Sequence, residues 1–144
     1  MSAEVIIQQV TQGDIVGLRA HVLSRGNHRV RGYSGDHGSR ARHWAALMND
    51  AIVGCVSVLN IRGWALRGMA VRPAYQRRGI GAALLKSVYA SVDAPMWCNA
   101  RIEVVDFYTG HGWQTMGPVF TMANGFQHQR MIWSPPLSAD VSTL

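Results

Sequence analysis

The chain has 144 residues, 48% of them hydrophobic, which is typical of one globular domain. No apolar run approaches the roughly 20 residues that a membrane span needs, and residues 1–10 lack the pattern of a secretion signal, so we expect a cytoplasmic protein without membrane contact. The net charge of +6 suits an anionic partner, either nucleic acid or a phosphorylated small molecule, whereas the isolated Cys55 and Cys98 predict neither a disulfide framework nor a metal site.

The first elements are a strand and a capped helix. A strand is predicted over residues 4–10, and Thr11 with Asp14 three positions later resembles a capping box that opens a helix. Residues 24–42 are rich in Gly, Arg, His and Ser and lack apolar periodicity, which predicts a long irregular segment. Long segments of this kind in small domains are often functional.

The remainder of the chain reads mainly as strands. They are predicted over residues 43–48, 51–59, 64–71, 96–99, 113–120 and 127–133, with helices beginning at Ala82 and spanning 102–107. Asn49 with Asp50, and Asn124 with Gly125, are turn signals that favour hairpins between neighbouring strands. We expect a single domain over residues 1–134, followed by a poorly ordered tail over residues 135–144.

A loop between the strand 64–71 and the next helix has the features of a phosphate site. Its residues are Gln76, Arg77, Arg78, Gly79, Ile80, Gly81 and Ala82. The first turn of a helix offers unpaired N–H groups and the positive end of the helix dipole to an anion. Gly79 and Gly81 would let a diphosphate approach the backbone, while Arg77 and Arg78 add positive charge.

Two common phosphate motifs do not match this loop. The dinucleotide fingerprint requires a small residue where Leu84 stands, and an acidic residue about 20 positions further on. The P-loop requires a lysine within the loop, but the only lysine, Lys86, lies beyond the first turn of the helix.

The loop resembles instead the diphosphate loop of the GNAT superfamily of acyl-CoA-dependent N-acyltransferases. It has the form Gln-x-x-Gly-x-Gly and follows a strand ending in residues 69–73, and residues 107–113 resemble that family's Phe-Tyr-x-x-x-Gly-aromatic segment. The order of predicted elements also matches. The resemblance implies an α/β fold of the α+β type, with a mixed, mostly antiparallel central sheet of six to seven strands flanked by three to four helices.

The same resemblance implies a cofactor, acetyl-CoA, and the residues that bind it. These are Met69, Val71, Gln76, Arg77, Arg78, Gly79, Gly81, Ala82, Asn99 and Tyr108. The Met69 N–H would act as an oxyanion donor and Tyr108 as the acid that protonates the leaving thiolate. Relatives often have an asparagine where Arg101 stands, and Asn99 is our candidate to replace it.

The sequence does not identify which group acts as the general base. Relatives can carry a glutamate on the strand before the loop, but residues 64–67 contain no carboxylate. The remaining candidates are His43, His128, Asp36, His37 and solvent. Arg67 alternates in phase with Met69 and Val71, so we expect its side chain to reach the acceptor and bind a substrate carboxylate. An acyl-cysteine route through Cys98 is rejected, because no partner base is apparent.

These observations predict an N-acetyltransferase that moves an acetyl group from acetyl-CoA to a primary amine of a small molecule or peptide by direct transfer. The alternative is a noncatalytic acyl-CoA-binding regulatory protein, which would need no acid. A nucleic-acid module is disfavoured, since aromatic residues are not interleaved with the arginines on any strand. We expect a monomer or homodimer, and the acceptor cannot be read from the sequence.

Overall fold

The computed structural model describes residues 4–11, 13–15 and 40–136. The chain forms two compact units, Met1–Ser91 and Val92–Leu144. The predicted α+β class is confirmed, with eight strands among the described residues, of which six have five or more residues. Most of the irregular segment 24–42 and of the tail 135–144 lies outside the described residues.

Four strands of the first unit lie side by side in chain order and pair antiparallel. They are β1 (Ile6–Val10), β2 (Ala41–Met48), β3 (Ala51–Asn60) and β4 (Trp64–Val71). The predicted hairpin between β2 and β3 is confirmed, because Asn49 and Asp50 both have positive φ, at 51° and 64°. Two such residues form the type I′ turn that matches the twist of a hairpin.

The predicted capping interaction begins a helix directly after β1. The Asp14 carboxylate accepts hydrogen bonds from the Thr11 N–H at 3.0 Å and from the Thr11 hydroxyl at 2.8 Å, and residues 13–15 are helical. The next helix follows β4 after a 3₁₀ turn at Pro73–Tyr75. It spans Ile80–Ser91 and we label it α1. It begins two residues before the predicted start at Ala82.

The sheet of the first unit has two differently covered faces. A Cβ added to Gly54 would lie 3.1 Å from the Ile80 Cγ2, so the face that carries Gly54 is covered by α1, and we call it the α1 face. On the other face, Ala45, Cys55 and Ala70 pack with Ile15 in a buried apolar cluster. We call this the Cys55 face.

A β-bulge changes the alternation along β4. Ser57 pairs with Arg67, whereas Cys55, two positions away on β3, pairs with Ala70, so β4 carries one extra residue between the two pairs. The extra residue falls at Gly68, whose φ is 68°, as in a bulge with glycine in the left-handed region. Arg67 therefore shares the Cys55 face with Ala70, and the predicted phase of Arg67 with Val71 is wrong because Val71 pairs with Gly54.

The second unit is built around one strand, β8. The strands are β5 (Met96–Arg101), β6 (Gln114–Thr115), β7 (Phe120–Thr121) and β8 (Gln127–Trp133), and β8 pairs antiparallel with the other three. The predicted single strand over residues 113–120 is wrong. Gly117 has a φ of 76° and Pro118 lacks an N–H, so β6 and β7 are separate.

A short helix and a tight turn complete the second unit. The predicted helix over 102–107 is a 3₁₀ turn at Ile102–Val104 followed by α2 (Val105–Thr109). The predicted turn before β8 is confirmed, with Gly125 at a φ of 84° and its N–H bonded to the Met122 carbonyl oxygen at 2.9 Å.

Candidate functional site

The loop after β4 is fixed to the sheet by side-chain hydrogen bonds. Gln76 Nε2 donates to the Val71 carbonyl oxygen at 2.9 Å, which ties the loop to the last residue of β4. Arg72 Nε donates to the Ile52 carbonyl oxygen at 2.9 Å on β3. These two hydrogen bonds give the loop a defined path from the strand to α1.

The end of the loop forms an open cradle of backbone N–H groups. Arg77 and Gly79 have positive φ, at 63° and 80°, so the backbone curls before α1 begins. The Ala83 N–H donates to the Gly79 carbonyl oxygen at 3.0 Å, and the N–H groups of the preceding first turn have no acceptor earlier in the helix. Among the described residues, a Cβ added to Gly79 would meet no heavy atom within 4 Å beyond its chain neighbours.

Charge and space at the cradle suit a diphosphate. Arg77, Arg78 and Gly79 are exposed, and the Arg78 guanidinium lies 5.4 Å from the centre of the Tyr75 ring. A helix N-terminus of this form attracts phosphate through its dipole and its N–H groups. The residues present therefore fit the diphosphate of coenzyme A, which the N–H groups and the two arginines would bind.

The bulge lies on the strand that leads into this loop. The Cys55 thiol donates to the Gly68 carbonyl oxygen at 3.5 Å, which anchors the bulge to β3. Because the pairing passes from Ser57 with Arg67 to Cys55 with Ala70, Gly68 and Met69 are outside the regular register with β3. The conformation of the Met69 backbone is therefore set by the bulge and not by regular pairing with β3.

The candidate base His43 and the predicted substrate residue Arg67 lie on one row of the Cys55 face. His43 pairs with Ser57, and Ser57 pairs with Arg67 across β2, β3 and β4. His43 Nδ1 and Ser57 Oγ are 2.7 Å apart, and the two residues are 5% and 1% exposed. We call His43, Ser57 and Arg67 the polar row. Ser57 was missed by sequence reasoning, and its signal was a lone hydroxyl within the apolar run of β3.

Tyr108, the predicted acid, is buried in an aromatic cluster of the second unit. Its ring makes edge contacts with Phe107 and Trp113, with centroids 5.2 Å and 5.5 Å away. Its carbonyl oxygen accepts the N–H groups of His111 at 2.9 Å and Trp113 at 3.1 Å. The residues that resemble the family segment thus hold the backbone of this tyrosine.

Asn99 has a different partner from the one that the resemblance implies. Its Oδ1 accepts a hydrogen bond from Arg130 Nε at 2.6 Å, and the Arg130 guanidinium lies 4.3 Å from the centre of the Trp97 ring. The Arg101 guanidinium lies 4.3 Å from the centre of the Phe126 ring. The side-chain oxygen of Asn99 is thus engaged within its own unit.

His128 is buried and its tautomer is set by the backbone. Its Nδ1 lies 2.9 Å from the Phe126 carbonyl oxygen, which can only accept, so Nδ1 carries a hydrogen. In the neutral ring the lone pair then lies on Nε2. The ring stacks on Phe120 at 6.1 Å. His128 belongs to the second unit, whereas His43 belongs to the first, and Asp36 and His37 lie outside the described residues.

Cys98 has none of the features of a nucleophile. It is 3% exposed, and burial raises the pKa of its thiol to about 12, with Arg130 acting weakly in the opposite direction. Over residues 4–11, 13–15 and 40–136, no group of three or more His, Cys, Asp or Glu side chains could hold a metal ion. No helix in these same ranges is long and apolar enough to cross a bilayer.

Comparison with known proteins identifies the family. Residues 12–135 match the family model described as the acetyltransferase (GNAT) domain. The chain therefore belongs to the GNAT family of acetyltransferases, and the resemblance noted from the sequence is confirmed.

Individual relatives agree with this assignment. YitI of Bacillus subtilis strain 168, an uncharacterized N-acetyltransferase, is 26% identical over 100 residues, which cover 61% of this chain and 67% of that protein. The crystal structure of Escherichia coli ElaA is similar with a TM-score of 0.77 at 16% identity, over 91% of this chain and 100% of that chain. An aminoglycoside 6′-N-acetyltransferase complexed with coenzyme A has a TM-score of 0.73 at 15% identity, over 94% and 99% of the two chains. At these identities the two structures show a shared fold.

Proposed function

We propose that this protein transfers the acetyl group of acetyl-CoA to a primary amine of a small molecule or peptide, directly and without a covalent enzyme intermediate. The observation that carries the proposal is the open cradle at Gly79, directly after the bulged strand β4. Membership of the GNAT family and the neighbour solved with coenzyme A support the same cofactor.

The cradle would hold the diphosphate and the bulge would orient a catalytic donor. Acetyl-CoA supplies the acetyl group as an activated thioester. The first-turn N–H groups of α1, with Arg77 and Arg78, would bind the diphosphate. The Met69 N–H would donate to the thioester oxygen as negative charge develops on it, and the bulge supports this role because it takes Met69 out of the regular ladder. Val71 would offer its backbone to the amide arm.

The amine and the leaving thiolate exchange protons with the protein or with solvent. The amine nitrogen bonds to the carbonyl carbon, the carbon–sulfur bond breaks, and Tyr108 would give its proton to the thiolate. The amine must lose one proton, which His43, His128 or water would accept. Burial of Cys98 supports direct transfer, since a thiol with a pKa of about 12 is a poor nucleophile at neutral pH.

The proposal is tested by thiol release from acetyl-CoA with a panel of primary amines, with the acetylated amine identified by mass spectrometry. Amine-dependent release is the expected result. Tight binding of acetyl-CoA with no product from any amine would instead support the noncatalytic regulatory protein.

A further inference from the structure

We propose that the acceptor amine also carries a carboxylate and that the polar row of His43, Ser57 and Arg67 binds it. This inference rests on the acetyl transfer proposed above. It names the substrate class that the row selects, namely amino acids or peptides with a free carboxylate close to the reacting amine.

The position of the row points to the acceptor rather than to the cofactor. The cradle leads into α1, which covers the α1 face through contacts such as that of Ile80 with Gly54. The polar row lies on the opposite, Cys55 face, because Ser57 and Cys55 are two positions apart on β3. A cofactor held at the start of α1 would therefore not lie on the same face of the sheet as the polar row.

The row also lies next to the residue that would act on the thioester. Arg67 immediately precedes the bulge at Gly68, and Met69 follows it. A carboxylate bound at Arg67 would thus place its own amine within a short distance of the Met69 backbone. The bulge brings this about, because it puts Arg67 and Ala70 on one face with Met69 between them.

The chemistry of the row matches a carboxylate. The guanidinium of Arg67 has a planar fork of donors that fits two carboxylate oxygens, and the side chain is half-buried, where charge-assisted hydrogen bonds are stronger than in water. Ser57 Oγ accepts from His43 Nδ1 when that nitrogen carries the hydrogen, and the serine hydroxyl can then donate to the same carboxylate.

The test compares acceptors in matched pairs, each amino acid or dipeptide against its C-terminal amide, with kcat/KM measured by thiol release. We expect the wild type to prefer the carboxylate by about tenfold or more, and Arg67→Gln to abolish this preference while leaving the KM for acetyl-CoA within about twofold. Arg62→Gln, an exposed arginine in the β3–β4 loop, is the matched control and should keep the preference.

Three results would overturn the inference. Equal use of acid and amide by the wild type, or an unchanged preference in Arg67→Gln, would each exclude the carboxylate site while leaving acetyl transfer intact. Absence of acetylation across the whole panel would overturn the proposed function and this inference with it. If Arg67→Gln does not fold, as judged by thermal melting, Arg67→Lys keeps the charge but loses the fork, and an undiminished preference in that variant would contradict the role of the fork.

Discussion

The thiol of Cys55 on β3 donates to the carbonyl oxygen of Gly68 on β4 at 3.5 Å, and this contact ties the bulge to the neighbouring strand. Cys55 is fully buried in the apolar cluster of the Cys55 face. A residue selected for packing thus also holds the backbone that precedes Met69. The position of the proposed oxyanion donor therefore depends on a fully buried side chain of the neighbouring strand.

Replacing Cys55 with Ala should lower both stability and turnover. The variant loses the weak hydrogen bond and leaves a small cavity, which together cost about 1–2 kcal/mol of unfolding free energy, measured by urea titration. We expect kcat to fall more than the affinity for acetyl-CoA, because the bulge moves and the cradle does not. Cys55→Ser keeps a donor and should recover part of kcat.

Cys98→Ala is the matched control, since Cys98 is the other buried cysteine and has no part in the bulge. It should lose stability but keep kcat. A similar loss of kcat in both alanine variants would contradict the role of the Cys55–Gly68 contact.

Tyr108→Phe should lower kcat by about 10²-fold with little change in acetyl-CoA binding, because it removes the acidic hydroxyl and keeps the ring contacts with Phe107 and Trp113. Steady-state kinetics and calorimetry of acetyl-CoA binding separate these effects. Tyr89→Phe, on α1, is the control and should behave as the wild type. Full activity of Tyr108→Phe would remove the tyrosine from the mechanism.

Gln76→Glu should raise the KM for acetyl-CoA. Gln76 Nε2 donates to the Val71 carbonyl oxygen, and a carboxylate cannot donate, so the loop loses its tie to β4 and gains a negative charge beside the diphosphate site. We expect an increase of about tenfold in initial-rate measurements, with the KM for the amine unchanged. Gln127→Glu carries the same change at an exposed position of β8, and a KM increase of equal size there would show a general charge effect.

Asp14→Ala should destabilise the protein at neutral pH but not in strong acid. Hydrogen bonds from the Thr11 hydroxyl and N–H lower the pKa of the Asp14 carboxyl below its usual 3.8. A group whose folded-state pKa is depressed contributes stability above its unfolded pKa, and this contribution is lost as the pH falls through the folded value. The difference in melting temperature between the two proteins should therefore be present at pH 7 and vanish in acid. A difference that is independent of pH would contradict the charged cap.

Local signals in the sequence are sufficient to predict the geometry of the turns and of the loop. Asn49 with Asp50 and the glycine of the cradle act through their own dihedral angles, so their types predict their geometry without knowledge of partners. The bulge could not be predicted, because it is a property of the register between β3 and β4. The error in the orientation of Arg67 follows directly from it, since one extra residue moves a side chain to the other face.

The polar row was only partly predictable for the same reason. His43 and Arg67 were proposed separately, and nothing in the sequence showed that Ser57 lies between them until the strands were aligned. The 2.7 Å contact of His43 with Ser57 joins residues 14 positions apart. Contacts across strands depend on pairing, which periodicity alone does not define.

The most direct test of the cradle is the dissociation constant of coenzyme A for Gly79→Ala and Gly117→Ala, measured by calorimetry. Both glycines have positive φ, at 80° and 76°, and among the described residues an added Cβ meets no heavy atom within 4 Å beyond the chain neighbours at either position. The backbone cost of adding a Cβ is thus expected to be similar, and only Gly79 lies where the diphosphate would bind. We predict that Gly79→Ala weakens binding by about tenfold or more while Gly117→Ala binds as the wild type does. Wild-type affinity in Gly79→Ala would contradict the account.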